Sequence, residues 1–384
     1  MKIYGVAGLL VWLCVAGFAQ TNRYTVTPIV NNTQDSYLIN PWGISRPISS
    51  SVGENEWWVS DEMTGFTTLY YANQKGGQSL APLVISIPSA TGTGVGSPTG
   101  TAFNPGVGPG PSAENFTFAT LDGLIANWNS GSPGSGGGCY RCHASKTTTF
   151  VNRNSSGASY TGLTFATNTT TKEALYYAAN HNGGVEAYDA TSFHPVTLPG
   201  TFTDPKIPAG YRPYGIQAVN TFIVVTFYND VSGGYVDAFD TNGNLKGRLA
   251  HGAWFSQPWG ITLAPASFGA FSNMLLVGNT TTGAIAAFST TNGAFKGVLD
   301  DSTGHAISLP GLWGSPPAHR PSPQAGPSCF GLADYPLSRL PCSGAQTARH
   351  RRWLPDLLLA LWREQYPNVP LQLQLAIEAT ATPR

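Results

Sequence analysis

The chain has 384 residues and a net charge of zero, from 20 basic and 20 acidic side chains. Charged residues make up only 10% of it, against about 25% in an ordinary globular domain, and no Lys/Arg stripe occurs before residue 314. Nucleic-acid binding therefore lacks its electrostatic basis. The 45 glycines point instead to many short strands joined by tight turns.

The first element is a secretion signal. Lys2 supplies the positive start, Ile3 to Ala16 is almost wholly apolar, and Gly17-Phe18-Ala19 places small residues at −3 and −1 of a cut before Gln20. Residues 1–19 are thus predicted to be a signal peptide, and the mature chain secreted, periplasmic or extracellular. No transmembrane helix is expected after cleavage. Cys139, Cys142, Cys329 and Cys342 then lie in an oxidising compartment.

A phrase next recurs along the chain. It reads Pro41-Trp42-Gly43-Ile44, Pro98-Thr99-Gly100-Thr101, Tyr160-Thr161-Gly162-Leu163, Pro213-Tyr214-Gly215-Ile216 and Pro258-Trp259-Gly260-Ile261, with a sixth start at Leu312-Trp313-Gly314. The steps between glycines are roughly 45 to 62 residues, the spacing of β-propeller blades with insertions. After each phrase come a second strand ending in a polar residue, a turn with Gly, and a third strand, as in Trp57 to Asp61, Gly65 and Thr67 to Tyr71. Asp240-Thr241-Asn242-Gly243-Asn244 and Thr290-Thr291-Asn292-Gly293 lead into fourth strands. The expected fold is all-β: a six-bladed β-propeller over residues 20–314.

The repeat, an apolar-x-Asp/Asn run, a short turn with Gly, then an apolar run ending in Tyr/Phe-Asp/Ser, resembles the NHL type. The longer phrases Asn40-Pro41-Trp42-Gly43-Ile44 and Gln257-Pro258-Trp259-Gly260-Ile261 are similar to those of a family of uncharacterised secreted bacterial six-bladed propellers, some with a PEP-CTERM sorting signal. The resemblance covers about residues 22–314. It implies fold and export, and no particular chemistry.

After Gly314 the pattern stops. Residues 315–384 hold 11 of the 29 prolines, only three glycines, seven Arg and no Lys. Ser315-Pro316-Pro317 stands where an apolar strand should continue, and proline cannot donate to a ladder. The sixth blade is therefore expected to be incomplete. Residues 315–384 read as a low-order Pro/Arg-rich tail outside the propeller, out-of-frame sequence being preferred over a natural tail or a small added domain. Arg23 to Val30 is expected to supply an outer strand to the closing blade.

Two constellations invite chemistry. Cys139-Tyr140-Arg141-Cys142-His143 has the spacing of c-type haem attachment. It sits in a Gly/Ser-rich insertion with no apolar helix nearby, so a Cys139–Cys142 disulfide is preferred, with haem or metal left open. The second is spatial. In a propeller the segment entering the inner strand and the hairpin between the second and third strands share one face. Trp42, Thr99, Tyr214 and Trp259 would meet Asp61, Asn180, Asn229 and Asn279 there, a ring suited to a small polar ligand, a glycan or a protein. The alternative is that the Asp and Asn cap their own turns and the Trp pack between blades. Calcium held by Asp61, Asn180, Asn229 and Asn279 stays open, although the set has one carboxylate. No catalytic motif is found, His181 reads as a hairpin residue, and no cofactor is expected. The function expected is a non-enzymatic binding or surface-interaction module. A metal-dependent hydrolase or lyase, or a haem electron-transfer protein, would be the alternatives.

Overall fold

The computed structural model describes residues 22–26, 30–46, 57–72, 78–106, 115–129, 145–231, 233–309 and 312. Among them five antiparallel sheets follow one another along the chain. Blade 1 is Pro41–Ser45 (β1), Trp57–Asp61 (β2), Phe66–Ala72 (β3) and Gln78–Ser86 (β4). Blade 2 is Pro98–Asn104 (β5), Asn115–Thr120 (β6) and Leu124–Asn129 (β7); the short Ser145–Lys146 (β8) then joins β4 of blade 1 in parallel, and Thr148–Asn152 (β9) completes blade 2. Blade 3 is Tyr160–Thr167 (β10), Ala174–Asn180 (β11), Val185–Asp189 (β12) and Pro195–Val196 (β13). Blade 4 is Arg212–Val219 (β14), Phe222–Tyr228 (β15), Tyr235–Asp240 (β16) and Leu245–Arg248 (β17). Blade 5 is Pro258–Leu263 (β18), Leu275–Asn279 (β19), Ile285–Phe288 (β20) and Phe295–Val298 (β21). The predicted Asp240 turn forms as expected: its Oδ1 accepts the backbone N–H of Asn242 (3.0 Å) and Asn244 (2.9 Å), with Gly243 at φ 83°.

The recurring phrase bulges the inner strand in each of the five described blades. Proline opens β1, β5 and β18, where its missing N–H costs no ladder bond. Within the phrase the register with the second strand slips, at Pro41/Ile44, Pro98/Thr101, Tyr160/Gly162, Pro213/Ile216 and Pro258/Gly260. Such a bulge bends the inner strand. At Gly43, Gly100, Gly162 and Gly215 the glycine then lets neighbouring inner strands approach by backbone. A Cβ on Gly100 would lie 2.1 Å from the N of Leu163, and one on Gly215 2.1 Å from the O of Trp259.

The inner strands β1, β5, β10, β14 and β18 pack in sequence, and an apolar cluster fills each joint between blades. In the first joint Trp58 stacks on Phe116 at 3.7 Å and lies 4.9 Å from Trp128. The alternation of β2 explains the rest: Trp58 faces blade 2, while Trp57 and Val59 face the other way, into the cluster shared with blade 5. That last cluster also holds Leu276, Ile285 and the N-terminal Tyr24, which stacks on Phe268 at 4.8 Å. The expected N-terminal outer strand is a single parallel bridge from Tyr24 to Asp301, with the Tyr24 N–H on the carbonyl of Asp300 (2.9 Å); residues 27–29 lie outside the described residues. Six blades were expected and five sheets are present among the described residues. Of the sixth phrase only Leu312 is described, packed against the blade 5–blade 1 cluster; Trp313, Gly314 and residues 315–384 lie outside the described residues.

Candidate functional site: the hairpin face of the propeller

The two loop sets expected to share a face do so through a repeated bond. The first hairpin residue after the second strand donates its backbone N–H to the residue just before the inner strand: Glu62 to Asn40 (3.2 Å), Leu121 to Ser97 (3.0 Å), His181 to Ser159 (2.7 Å) and Thr280 to Gln257 (3.0 Å). Blades 1, 2, 3 and 5 thus present hairpin and entry segment together.

Three of the predicted site residues meet at the axis. Trp42 of blade 1, Tyr214 of blade 4 and Trp259 of blade 5 form one cluster with Tyr228. The Trp42 and Trp259 rings meet edge to face at 6.3 Å, and Tyr214 and Tyr228 lie 5.3 Å apart. The Trp259 Nε1–H donates across the ring to the carbonyl of Thr161 in blade 3 (2.9 Å). These rings are 4%, 1% and 8% exposed for Trp42, Tyr214 and Trp259. They are packed against one another away from solvent, and so form a floor beneath the hairpins and not the rim of an open mouth. Burial pushes the Tyr214 hydroxyl well above its usual pKa, with Tyr228 and Asp230 adding to the shift.

The other five are bound within or beside their own blades. The Thr99 hydroxyl donates to the Tyr160 carbonyl (2.7 Å). Asn180 Oδ1 accepts from the Ser159 N–H (3.0 Å) and Asn279 Oδ1 from the Ser256 N–H (2.8 Å), each tying its hairpin to the entry segment of the same blade. Asn229 Oδ1 accepts from the Val231 N–H (3.2 Å) in its own turn. Asp61, fully buried, accepts from Thr68 Oγ1 (2.8 Å), which also bonds Tyr70, whose hydroxyl donates to Asp35 (2.8 Å). Among the described residues no group of three or more His, Cys, Asp or Glu is placed to hold a metal ion.

The disulfide expectation is corrected. A bridge needs two Cα atoms within about 7 Å; no disulfide is present among the described residues, and all five cysteines, with His143, lie outside them.

Sequence reading placed His181 in its hairpin without its partners, and missed two further polar groups. His181 spans blades 3 and 4, with Nδ1 3.0 Å from the Pro213 carbonyl and Nε2 3.2 Å from Asp230 Oδ1. Glu186 accepts from Tyr160 (2.7 Å), Tyr188 (2.5 Å) and Asn180 (2.9 Å). Away from this face, Arg248 bridges Asp204 (2.5 Å) and the buried Asp237 (3.1 Å). The apolar surface of the face was missed too. Ile39, Met63, Val95 and Val231 are exposed large apolar residues in its loops, with Met63 65% and Val231 80% exposed. The Met63 N–H bonds the Ile39 carbonyl (3.3 Å), and Val95 sits against Gly65 of the same hairpin, so three of the four are neighbours.

No family model matches the chain. It is similar to an uncharacterised protein, L690, of Acanthamoeba polyphaga mimivirus, 27% identical over 307 residues, covering 74% of each chain. Among solved structures it is similar to BBS1N in complex with ARL6DN, at 12% identity and a TM-score of 0.40, over 72% of this chain and 73% of that one. It is also similar to a structural-genomics protein of unknown function from Bacteroides thetaiotaomicron, at 12% identity and a TM-score of 0.41, over 73% of this chain and 61% of that one. Among the described residues no helix is long and apolar enough to cross a membrane.

Proposed function

We propose that this chain is an exported, non-enzymatic binding module that engages a protein or peptide surface through the hairpin face of its propeller. The observation that carries this reading is exposed apolar surface on the hairpin loops, above buried aromatic rings. Ile39, Met63, Val95 and Val231 project from the face above the buried Trp42–Tyr214–Trp259 floor. Exposed apolar groups gathered on one face mark interaction sites, and with the predicted wall residues Trp42, Tyr214 and Trp259 buried against one another the exposed apolar loops are the surface left to a macromolecular partner. Trp42, Asp61, Thr99, Asn180, Tyr214, Asn229, Trp259 and Asn279 act here as the frame that fixes the loops. The test is selection of peptides on the immobilised full chain, then titration of variants. Met63→Asp with Val231→Asp should weaken binding at least tenfold, and Phe222→Asp, at the turn on the opposite end of blade 4, should leave it unchanged. Equal loss with Phe222→Asp would end the assignment of this face.

The finer readings belong to the same proposal. The sixth phrase at Leu312 supports a six-bladed architecture of the kind seen in the secreted bacterial family, with residues 315–384 outside it. The leader at residues 1–19 supports export, and N-terminal sequencing of secreted material should begin at Gln20.

A further inference from the structure

Residues 197–210 run from blade 3 to blade 4 without forming helix or strand. Two backbone bonds tie the segment to the turn between β16 and β17: Gly200 N–H to the Asn242 carbonyl (2.8 Å) and Phe202 N–H to the Gly243 carbonyl (3.0 Å). The Phe202 ring, buried, fills the joint between Tyr177 of blade 3 (5.9 Å) and Phe239 of blade 4 (5.4 Å). The segment's buried charge is Asp204, whose carboxylate takes the Arg248 guanidinium at 2.5 Å.

The same guanidinium reaches Asp237 on β16, its Nε 3.1 Å from Oδ1. Two buried carboxylates thus share one cation, and with both ionised the cluster carries one uncompensated negative charge. Asp237 Oδ2 is buried and has no hydrogen-bond partner among the described residues. The other groups nearby do not supply a second cation. Lys206 gives Asp204 its backbone N–H (2.7 Å) and leaves its side chain exposed. Tyr235 lies under the Arg248 guanidinium (4.9 Å), with His251 stacked on it at 4.3 Å and Tyr211 edge-on at 4.8 Å. Blade 3 turns the Tyr177 hydroxyl to the Thr241 carbonyl (2.8 Å), and β15 sets Val225 opposite Asp237. An extra charge buried in such a place is costly, and a proton removes it.

We propose that residues 197–210 are a strap over the joint between blades 3 and 4, shut when the Asp237–Asp204–Arg248 cluster holds a proton and released as pH rises toward neutrality. Asp237 and Arg248 sit on paired strands of one sheet, whereas Asp204 rides on a segment outside any ladder, so the strap is the part that yields. Burial pushes the Asp237 carboxyl from 3.8 up to about 7 against the pull of Arg248, and Asp204 adds to the rise. Lifting the strap hydrates that carboxyl and returns it toward 3.8. The hold is therefore full below pH 3.8, weakens up to about tenfold per pH unit from there to about pH 7, and falls no further above. Release uncovers Phe202 and Ile207, apolar residues of the joint.

The test is hydrogen exchange on the full chain at about pH 4.5 and pH 7.5, each rate divided by its intrinsic rate at that pH. Amides of residues 200–207 should lose protection by at least about tenfold at the higher pH, while those of β15 change by less than about threefold. Asp237→Asn, which cannot ionise, should keep the strap's protection the same at both values. Strap protection that does not fall with pH, that falls together with β15, or that falls equally in Asp237→Asn overturns the proposal. Should that variant fail to fold, Asp204→Asn serves in its place. It removes the second carboxylate and should move the loss to lower pH, and an unmoved profile overturns the proposal as well.

Discussion

Asp237 makes the stability of this propeller depend on pH in a direction opposite to that of most carboxylates. It lies on β16, is fully buried, and shares the Arg248 guanidinium with Asp204. Burial pushes its carboxyl from 3.8 up to about 7, against the pull of Arg248 and with the help of Asp204. A carboxyl whose folded pKa is raised binds its proton more tightly folded than unfolded. Its contribution is therefore fully present below pH 3.8 and is lost as pH rises through about 7. That interval is a little over three pH decades, each worth about 1.4 kcal/mol, so the group alone removes about 4 kcal/mol between pH 4 and pH 7.5. Asp237→Asn keeps an acceptor for the Arg248 Nε–H and cannot ionise. Denaturant unfolding of both proteins from pH 4 to pH 7.5 isolates the Asp237–Asp204–Arg248 cluster, because titrations outside that cluster are shared. The two should be about equally stable at pH 4, with the Asn variant more stable by a few kcal/mol at pH 7.5. A stability difference that stays flat with pH, or that turns against the Asn variant as pH rises, would refute the reasoning.

Other expectations are more local. Trp58→Ala removes the ring stacked on Phe116 in the first joint and should cost about 3–5 kcal/mol in denaturant unfolding. Gly215→Ala drives a methyl into the Trp259 carbonyl and should cost about 3 kcal/mol, the upper end of overpacking. Burial raises the Glu186 carboxyl, but Tyr188, Tyr160, Asn180 and Arg153 outweigh it and hold its pKa below 4.5. Its contribution is thus present above pH 4.5 and lost in acid, and Tyr160→Phe with Tyr188→Phe should flatten the loss of stability seen below that pH.

The blades were legible because their signal is local. Pro, Gly and the apolar run lie within a few residues, and the strand, the bulge and the backbone approach all follow from them. The hairpin-to-entry bond was foreseeable for the same reason, since Asn180 and Ser159 belong to one blade. What joins blades was not. Trp58 finds Phe116, and Arg248 finds Asp204, only after two sheets have stacked, and no spacing in the chain records which face of a strand meets which neighbour. The aromatic before the glycine was placed at the right end of the strand, but its distance from the axis depends on how many blades close the ring and how tightly the glycines let them close. Trp42 and Trp259 therefore read as walls in the sequence and stand as buried, mutually packed rings in the fold.

The parallel strand β8 has a consequence for the order in which the molecule can be assembled. Blade 1 is not finished by its own stretch of chain: its outer edge at Ile85 and Ser86 is completed by Ser145 and Lys146, after β5, β6 and β7 of blade 2 have been made. Blade 2 in turn waits for β9, which arrives just after. Blade 2 is thus not a continuous module, and the edge that blade 1 gains from β8 comes from the same insertion. The same interleaving means that a chain cut between Asn129 and Ser145 would give two fragments, each carrying a strand that the other lacks, and so able to find one another again as complements.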